Sequence, residues 1–262
     1  MPRVNGEPVP VTEPAPMTAR PIVQRKVWKT SEVAAFSIVR DIAAQGLSDG
    51  DRLPLEAEMM DHYGVSRESL REALRLLEAQ GMVTIRRGPG GGPIVGRAES
   101  ANLARTMSLY FQLAGATYDE LIQAWRVAEP ISAEMAANNP DRDLVRAAMA
   151  PHLKEFDHGG DRDRYEEHAN DLHFALGSLS GNRVLDLILR AVGDLVRTHV
   201  LLQLDPLSIS EMIDDDHHEI AEAVVEGDGT RARELLIEHN TRLDPIYRSH
   251  WKGSLSDLVE WK

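Results

Sequence analysis

No cysteine occurs among the 262 residues, which removes disulfides, thiolate metal sites and thiol nucleophiles together and fits a reducing compartment. Aromatic residues are also few, at 5%, so the core is left to aliphatic side chains. No stretch of eighteen uncharged apolar residues is present, and the N-terminus has no apolar signal core. These absences predict a soluble, unexported, cytoplasmic chain without a membrane partner. Strand-like alternation is nearly missing beyond Glu99, which excludes a large sheet and points to helices.

What is present suffices for a substantial core. With 42% apolar and 27% charged residues, the composition is that of a globular protein, and the length allows two domains. The net charge of -13 argues at first against nucleic acid, because phosphate neutralisation supplies much of the affinity for DNA. The sum conceals an asymmetry. Residues 23–97 hold eleven Lys/Arg against ten Asp/Glu, whereas 98–262 hold 16 against 30. A near-neutral segment with clustered arginines is followed by a strongly acidic one, and the charge break marks a domain boundary.

Residues 1–22 are proline-rich and aperiodic, which reads as a disordered N-terminal arm. From Val27 to Ala44 the apolar positions follow a helical period closed by Gly46. Gly50-Asp51-Arg52-Leu53-Pro54 predicts a turn, with Pro54 in the first turn of a second helix that ends at Gly64. The third helix starts at Ser66, a capping residue, with Val65 able to staple to Leu70. Leu70, Ala73, Leu74 and Leu77 form its dry stripe, and Arg67 and Arg71 lie one turn apart on another face. Met82 to Arg86 alternates as a strand, then Arg87-Gly88-Pro89-Gly90-Gly91-Gly92 makes a tip, and Pro93-Ile94-Val95 returns. Three helices and a glycine-tipped hairpin predict a winged helix-turn-helix over 23–97. Seven helical stripes follow, at 99–114, 118–137, 141–157, 161–179, 181–203, 208–226 and 228–249. The fold class is therefore mainly α: a winged helix-turn-helix followed by an all-α bundle over 98–250, with a C-terminal tail at 251–262.

The motifs Gly50-Asp51-Arg52-Leu53-Pro54, Glu56, Val65-Ser66-Arg67, Leu70-Arg71-Glu72-Ala73-Leu74 and Leu77-Glu78-Ala79-Gln80-Gly81 resemble the GntR family of bacterial transcription regulators. The second half is similar to its fatty-acid-regulator-like (FCD) branch through Glu120-Leu121, Arg126, Glu129, His173, Ser180-Gly181-Asn182, His217, Gly227-Asp228 and His239. The resemblance implies a metabolite-responsive regulator, repression being the expected outcome, that binds a palindromic double-stranded DNA operator as a homodimer. It places the DNA contacts on Ser66, Arg67, Glu68 and Arg71 of the recognition helix and on Arg87 and Gly88 of the wing. The chemistry is apt, since arginine forks take guanine edges or phosphates and glycines let the wing backbone approach a groove. An arginine pair on a helix is usually a solvated face, but this one follows a capped turn and precedes a basic hairpin. Ala57 departs from the family, which often has arginine there.

The resemblance further implies a divalent metal, of the Zn or Ni class, held by an aspartate and three histidines. The histidines match His173, His217 and His239, while the aspartate position is occupied by Ala169. Asp171 lies about 200° round the helix from His173 and Glu166 roughly 10 Å along the axis, so neither replaces it. Asn170 is nearer the correct face and, with Arg126, is assigned to an effector that is small, anionic and carboxylate-bearing. Arg126 otherwise pairs with Glu129 as a structural salt bridge. Asp214, Asp215 and Asp216 read as an acidic helix start. The alternative function is a metal-dependent enzyme in which the three histidines hold a catalytic ion.

Overall fold

The computed structural model describes residues 28–88, 91–97, 99–199, 206–250 and 254–260. The N-terminal arm expected at 1–22 lies outside the described residues, as do residues 251–253 and 261–262 of the expected tail.

Helix α1 (Thr30–Gln45) buries Ala34, Ala35 and Ile38, and Gly46 closes it in the left-handed region at φ 66°, where only glycine is unstrained. α2 is Glu56–Tyr63 and α3 is Arg67–Ala79. The Ser66 side chain accepts the Ser69 amide at 3.2 Å, as the cap predicts, and Leu70, Ala73, Leu74 and Leu77 face the core. Strands β1 (Val83–Arg86) and β2 (Gly92–Val95) pair antiparallel, Val83 opposite Val95 and Arg86 opposite Gly92. One expectation changes here. Pro54 lies outside α2, before the N-cap Leu55. The preceding residues run along β2, with Leu53 N–H bonded to the Pro93 carbonyl at 3.0 Å and Val95 N–H to that of Asp51 at 2.8 Å. The predicted turn thus runs along the wing sheet, bridged antiparallel to β2 at Arg52 and Ile94.

Seven further helices follow: α4 (Ser100–Ala114), α5 (Tyr118–Ala137), α6 (Arg142–Met149), α7 (Arg162–Leu179), α8 (Arg183–His199), α9 (Ser210–Glu226) and α10 (Gly229–His250). The helix expected over 141–157 stops at Met149 and tightens into a 3-10 turn at Ala150–Leu153, because Pro151 lacks the amide and its ring would strike the preceding turn. Central α5 packs on α7, α8, α9 and α10, so its inward face sees four helices at once. The main core there is built of Ala133, Ala136, Val145, Met149, Leu172 and Leu236, all fully buried. Asn182 caps α8 by accepting the Val184 and Leu185 amides at 3.1 and 3.2 Å, and Gly181 turns the chain at φ 70°. The Arg142 guanidinium takes the carbonyls of Ala137 at 2.7 Å and Val225 at 2.6 Å, satisfying acceptors at the ends of α5 and α9.

Residues 254–260 are more than a tail. Their carbonyls accept the first amides of α5, Tyr118 N–H donating to Asp257 at 3.1 Å and Asp119 N–H to Leu255 at 2.9 Å, and Val259 is fully buried. A helix N-terminus has orphan amides, and this segment supplies their partners.

Candidate functional site

The bundle brings three distant histidines together. His173 comes from α7, His217 from α9 and His239 from α10. Their ring centroids are 4.9 to 5.6 Å apart, and one nitrogen from each lies within 4.8 Å of the others. His217 and His239 are buried and His173 nearly so.

Two carboxylates orient the rings from behind. Asp216 of α9 accepts His239 Nδ1 at 3.0 Å and pairs with Arg242. Glu129 of α5, fully buried, bonds His173 Nδ1, and its other oxygen accepts Asn240 Nδ2 at 3.1 Å. With Nδ1 committed, each of these histidines has Nε2 left for the interior. His239 Nε2 and both nitrogens of His217 are buried without any hydrogen-bond partner. Buried polar nitrogens are seldom left so, because each forfeits its hydration without replacement. Burial first, then His239 and His173 nearby, holds His217 well below the ordinary histidine pKa, and burial lowers His239 despite Asp216. The rings of His217 and His239 are therefore neutral near pH 7, the form that ligates metal, and a carboxylate behind a histidine is the usual support of a ligating one. The donor set fits a divalent ion.

The carboxylate missing at Ala169 is not replaced from α7. Ala169 packs with Tyr165, Ile213 and Leu243 into an apolar wall. Asp171 is exposed and turned away, and Glu166 pairs with Arg162 at 3.0 Å. Asn170 lines the cavity next to the histidines, and its Nδ2 donates to the Glu166 carbonyl at 2.7 Å. Arg126 lines the same cavity but does not pair with Glu129. Its partner is Asp244 of α10 at 3.2 Å, because Glu129 is turned inward to His173. The acidic run 214–216 also differs from the expected helix start. α9 begins at Ser210, Asp214 accepts the Tyr165 hydroxyl at 3.0 Å, and Asp216 is the buried partner of His239.

In the winged domain, Arg67, Glu68 and Arg71 are exposed on α3, and Arg87 and Gly88 are exposed at the wing, where Gly88 has φ 100°. Arg71 reaches back to Glu56 of α2, Nη2 to Oε2 at 3.2 Å. Ser66, besides capping α3, donates its hydroxyl to Ser69 Oγ at 3.1 Å, so its side chain is already engaged. Sequence reasoning passed over Arg75, exposed one turn beyond Arg71, although the spacing of 67, 71 and 75 already puts all three on one face. It also passed over Glu129 and Asp216 as the groups that aim the histidines, and neither carries a local signal for that task.

Residues 30–91 match the family model described as bacterial regulatory proteins, gntR family, and residues 120–242 match the FCD domain. The HTH-type transcriptional regulator LutR of Bacillus subtilis is 24% identical over 216 residues, covering 80% of this chain and 97% of that protein. The putative L-lactate dehydrogenase operon regulatory protein of Escherichia coli is 27% identical over 228 residues, 80% of this chain and 83% of that one. A solved structure, Streptococcus agalactiae GntR, superposes with a TM-score of 0.61 at 20% identity, over 83% of this chain and 99% of that one, a likeness of fold. Domains and relatives alike are those of transcription regulators rather than enzymes, which sets aside the metalloenzyme alternative. With its helix-turn-helix domain and its effector-binding FCD domain both matched, the chain belongs to the GntR family of transcription regulators.

Proposed function

We propose that the protein represses transcription as a homodimer on a palindromic operator, and that a small carboxylate-bearing metabolite controls it from the helical domain, beside a divalent metal. Residues 23–97 bind DNA and 98–250 bind effector and partner subunit, in the cytoplasm. The observation that carries this reading is the meeting of His173, His217 and His239 with buried, unpartnered nitrogens. These three residues hold the metal, of the Zn or Ni class. When bound, it supplies a positive centre that attracts an anionic oxygen.

The chain's own residues do the rest. Glu129 and Asp216 keep two rings in the tautomer that directs Nε2 inward, and the wall at Ala169, Tyr165 and Leu243 excludes water from one side. Arg126 and Asn170 border the effector's space. On α3, Arg67 and Arg71 are placed to read base edges while Arg87 and Gly88 follow the backbone at the wing, with Glu68 beside them and Ser66 fixing the helix start. A dimer spaces two such helices for successive major grooves.

The test is selection of bound fragments from genomic DNA with full-length protein, joined to light scattering and elemental analysis. A shared palindrome, a dimer mass and about one metal ion per chain are expected. Salt-insensitive binding without a common motif would refute the operator reading, since phosphate contacts make specific binding salt-dependent.

A further inference from the structure

Arginines around the helical-domain cavity are nearly all spoken for. Arg126 is held by Asp244 at 3.2 Å, Arg162 by Glu166 at 3.0 Å and Arg190 by Asp186 at 2.8 Å. Arg242 is held by Asp216, and Arg248 by Asp119 and Asp244. Arg197, on α8, differs. It is half-buried, and among the described residues it has no carboxylate or carbonyl within bonding distance. It borders the chamber that is also lined by Ala169, Asn170, His173, His217 and His239. On its outer side it borders a groove lined by Asp163, Glu166, Glu167 and Asp171.

The Arg197 nitrogens remain open to solvent rather than buried, so a ligand can take them without breaking an ion pair, and the planar fork matches a carboxylate. The chamber it faces contains imidazoles and, among the described residues, no unpaired anion: Glu129 and Asp216 are turned to the Nδ1 sides of the rings, and Glu166 is paired. Among the described residues, the unpaired polar groups that line the chamber therefore include the Arg197 fork and histidine nitrogens. Asn170 lines the same chamber, and its Nδ2 already donates to the Glu166 carbonyl, so that its Oδ1 is left as an acceptor for a hydroxyl. The outer groove brings four carboxylates to the same entrance. A second negative charge on the ligand would face them across a partly desolvated mouth, where like charges repel more strongly than in water.

We propose that Arg197, rather than Arg126, binds the effector's carboxylate, and that the chamber selects small 2-hydroxy monocarboxylates over dicarboxylates and over neutral analogues. Arg126 has its charge balanced by Asp244 and borders the side of the cavity formed by Trp125 and Tyr247, where it shapes the wall. This assignment rests on the effector reading given above and names the residue and ligand class that it leaves open.

The test is calorimetry on the full-length, metal-loaded protein with glycolate, its neutral amide glycolamide, acetate and malate as probes. Glycolate should bind at least about tenfold more tightly than glycolamide, because a charge-assisted fork is lost with the charge. It should also bind more tightly than acetate, which has no hydroxyl for Asn170. Malate should bind more weakly than glycolate, and Glu167→Gln with Asp171→Asn should narrow that gap. Arg197→Gln should weaken glycolate by about tenfold or more, and Arg197→Lys by less, a point charge replacing a fork. Neither variant should alter metal content, thermal midpoint without ligand or operator affinity without ligand, which separates recognition from folding. Glycolate binding that survives Arg197→Gln but is lost in Arg126→Gln overturns the assignment and leaves the effector reading standing. Equal affinity for glycolate and any of the other three probes overturns the ligand class. If the wild type binds no carboxylate at tens of millimolar, the assignment and the small-anion reading fall together.

Discussion

We predict that His217→Leu stabilises the metal-free protein and at the same time removes its response to metal. His217 is 3% exposed, and both ring nitrogens lack partners. A neutral imidazole has one donor and one acceptor, and leaving such a group buried and unsatisfied costs about 1–3 kcal/mol. Leucine is similar in size and has neither, and volume-conserving apolar swaps cost under about 1.5 kcal/mol. Two unsatisfied nitrogens at that cost, less about 1.5 kcal/mol for the swap, leave a net gain of about 0.5–4.5 kcal/mol in the metal-free state, the lower figures holding where cavity water satisfies one nitrogen. For a chain of this size that raises the thermal midpoint by about 2–4 °C for each kcal/mol. The wild type, by contrast, should gain roughly 3 kcal/mol from metal at about a hundredfold above its Kd, and the variant nothing. Differential scanning calorimetry in chelator and then in excess zinc or nickel reads both effects. A variant that melts lower than the wild type in chelator would show that the nitrogens are satisfied after all. One that still gains stability from metal would refute the three-histidine centre.

Further expectations concern DNA, pH and the C-terminal segment. Arg71→Ala should weaken specific operator binding by about 1–3 kcal/mol per half-site and relax base preference; the exposed Arg71–Glu56 pair that must open is worth only about 0–1 kcal/mol, so Glu56→Gln should alter affinity far less, both read by titration of labelled operator. Arg87→Ala should weaken binding to all sequences alike, and its plot of log affinity against log salt, taken over roughly 50 to 200 mM, should be shallower than the wild type's by about one unit of slope. Burial and neighbouring histidines push His152 down to about 4, and burial also lowers His168, His217 and His239. Because these folded values lie below the unfolded value of about 6.5, the unfolded chain binds more protons, so stability is full above about pH 6.5 and is lost as pH falls toward 4. Urea midpoints followed from about pH 7.5 to 4.5 should show this, and His152→Leu should make the fall shallower by up to about one proton; a flat profile contradicts the burial of these rings. Val259→Ala should cost about 1–3 kcal/mol in a chemical melt, whereas an unchanged midpoint would mean that residues 254–260 do not dock on α5.

How much was readable along the chain depended on the range of the forces involved. The winged domain is written locally. Ser66 caps α3 three residues from the amide it accepts, the leucine stripe recurs at helical spacing, and glycines stand where the backbone turns left-handed. The seven bundle helices follow from the same short-range periodicity. The early end of α6 was legible too, in Pro151, and the length of its stripe concealed it. The histidines could be singled out only through resemblance, since nothing near His173, His217 or His239 in the chain marks them as convergent.

Tertiary structure alone decided the chemistry around them. Glu129 reaches His173 across 44 positions and Asp216 reaches His239 across 23. Both distances exceed any helical period, so the tautomers are set by packing. The same packing turned Arg126 from Glu129 to Asp244, docked residues 254–260 on α5 and left Arg197 without a directly bonded carboxylate among the described residues. Hydrophobic periodicity determines which face of a helix is dry, and the sequence therefore specified the domains, the helices and the arginine face of α3. Which carboxylate meets which cation is settled only when those faces stack, because an ion pair or an orphaned nitrogen depends on a few ångströms between segments that the chain itself keeps far apart.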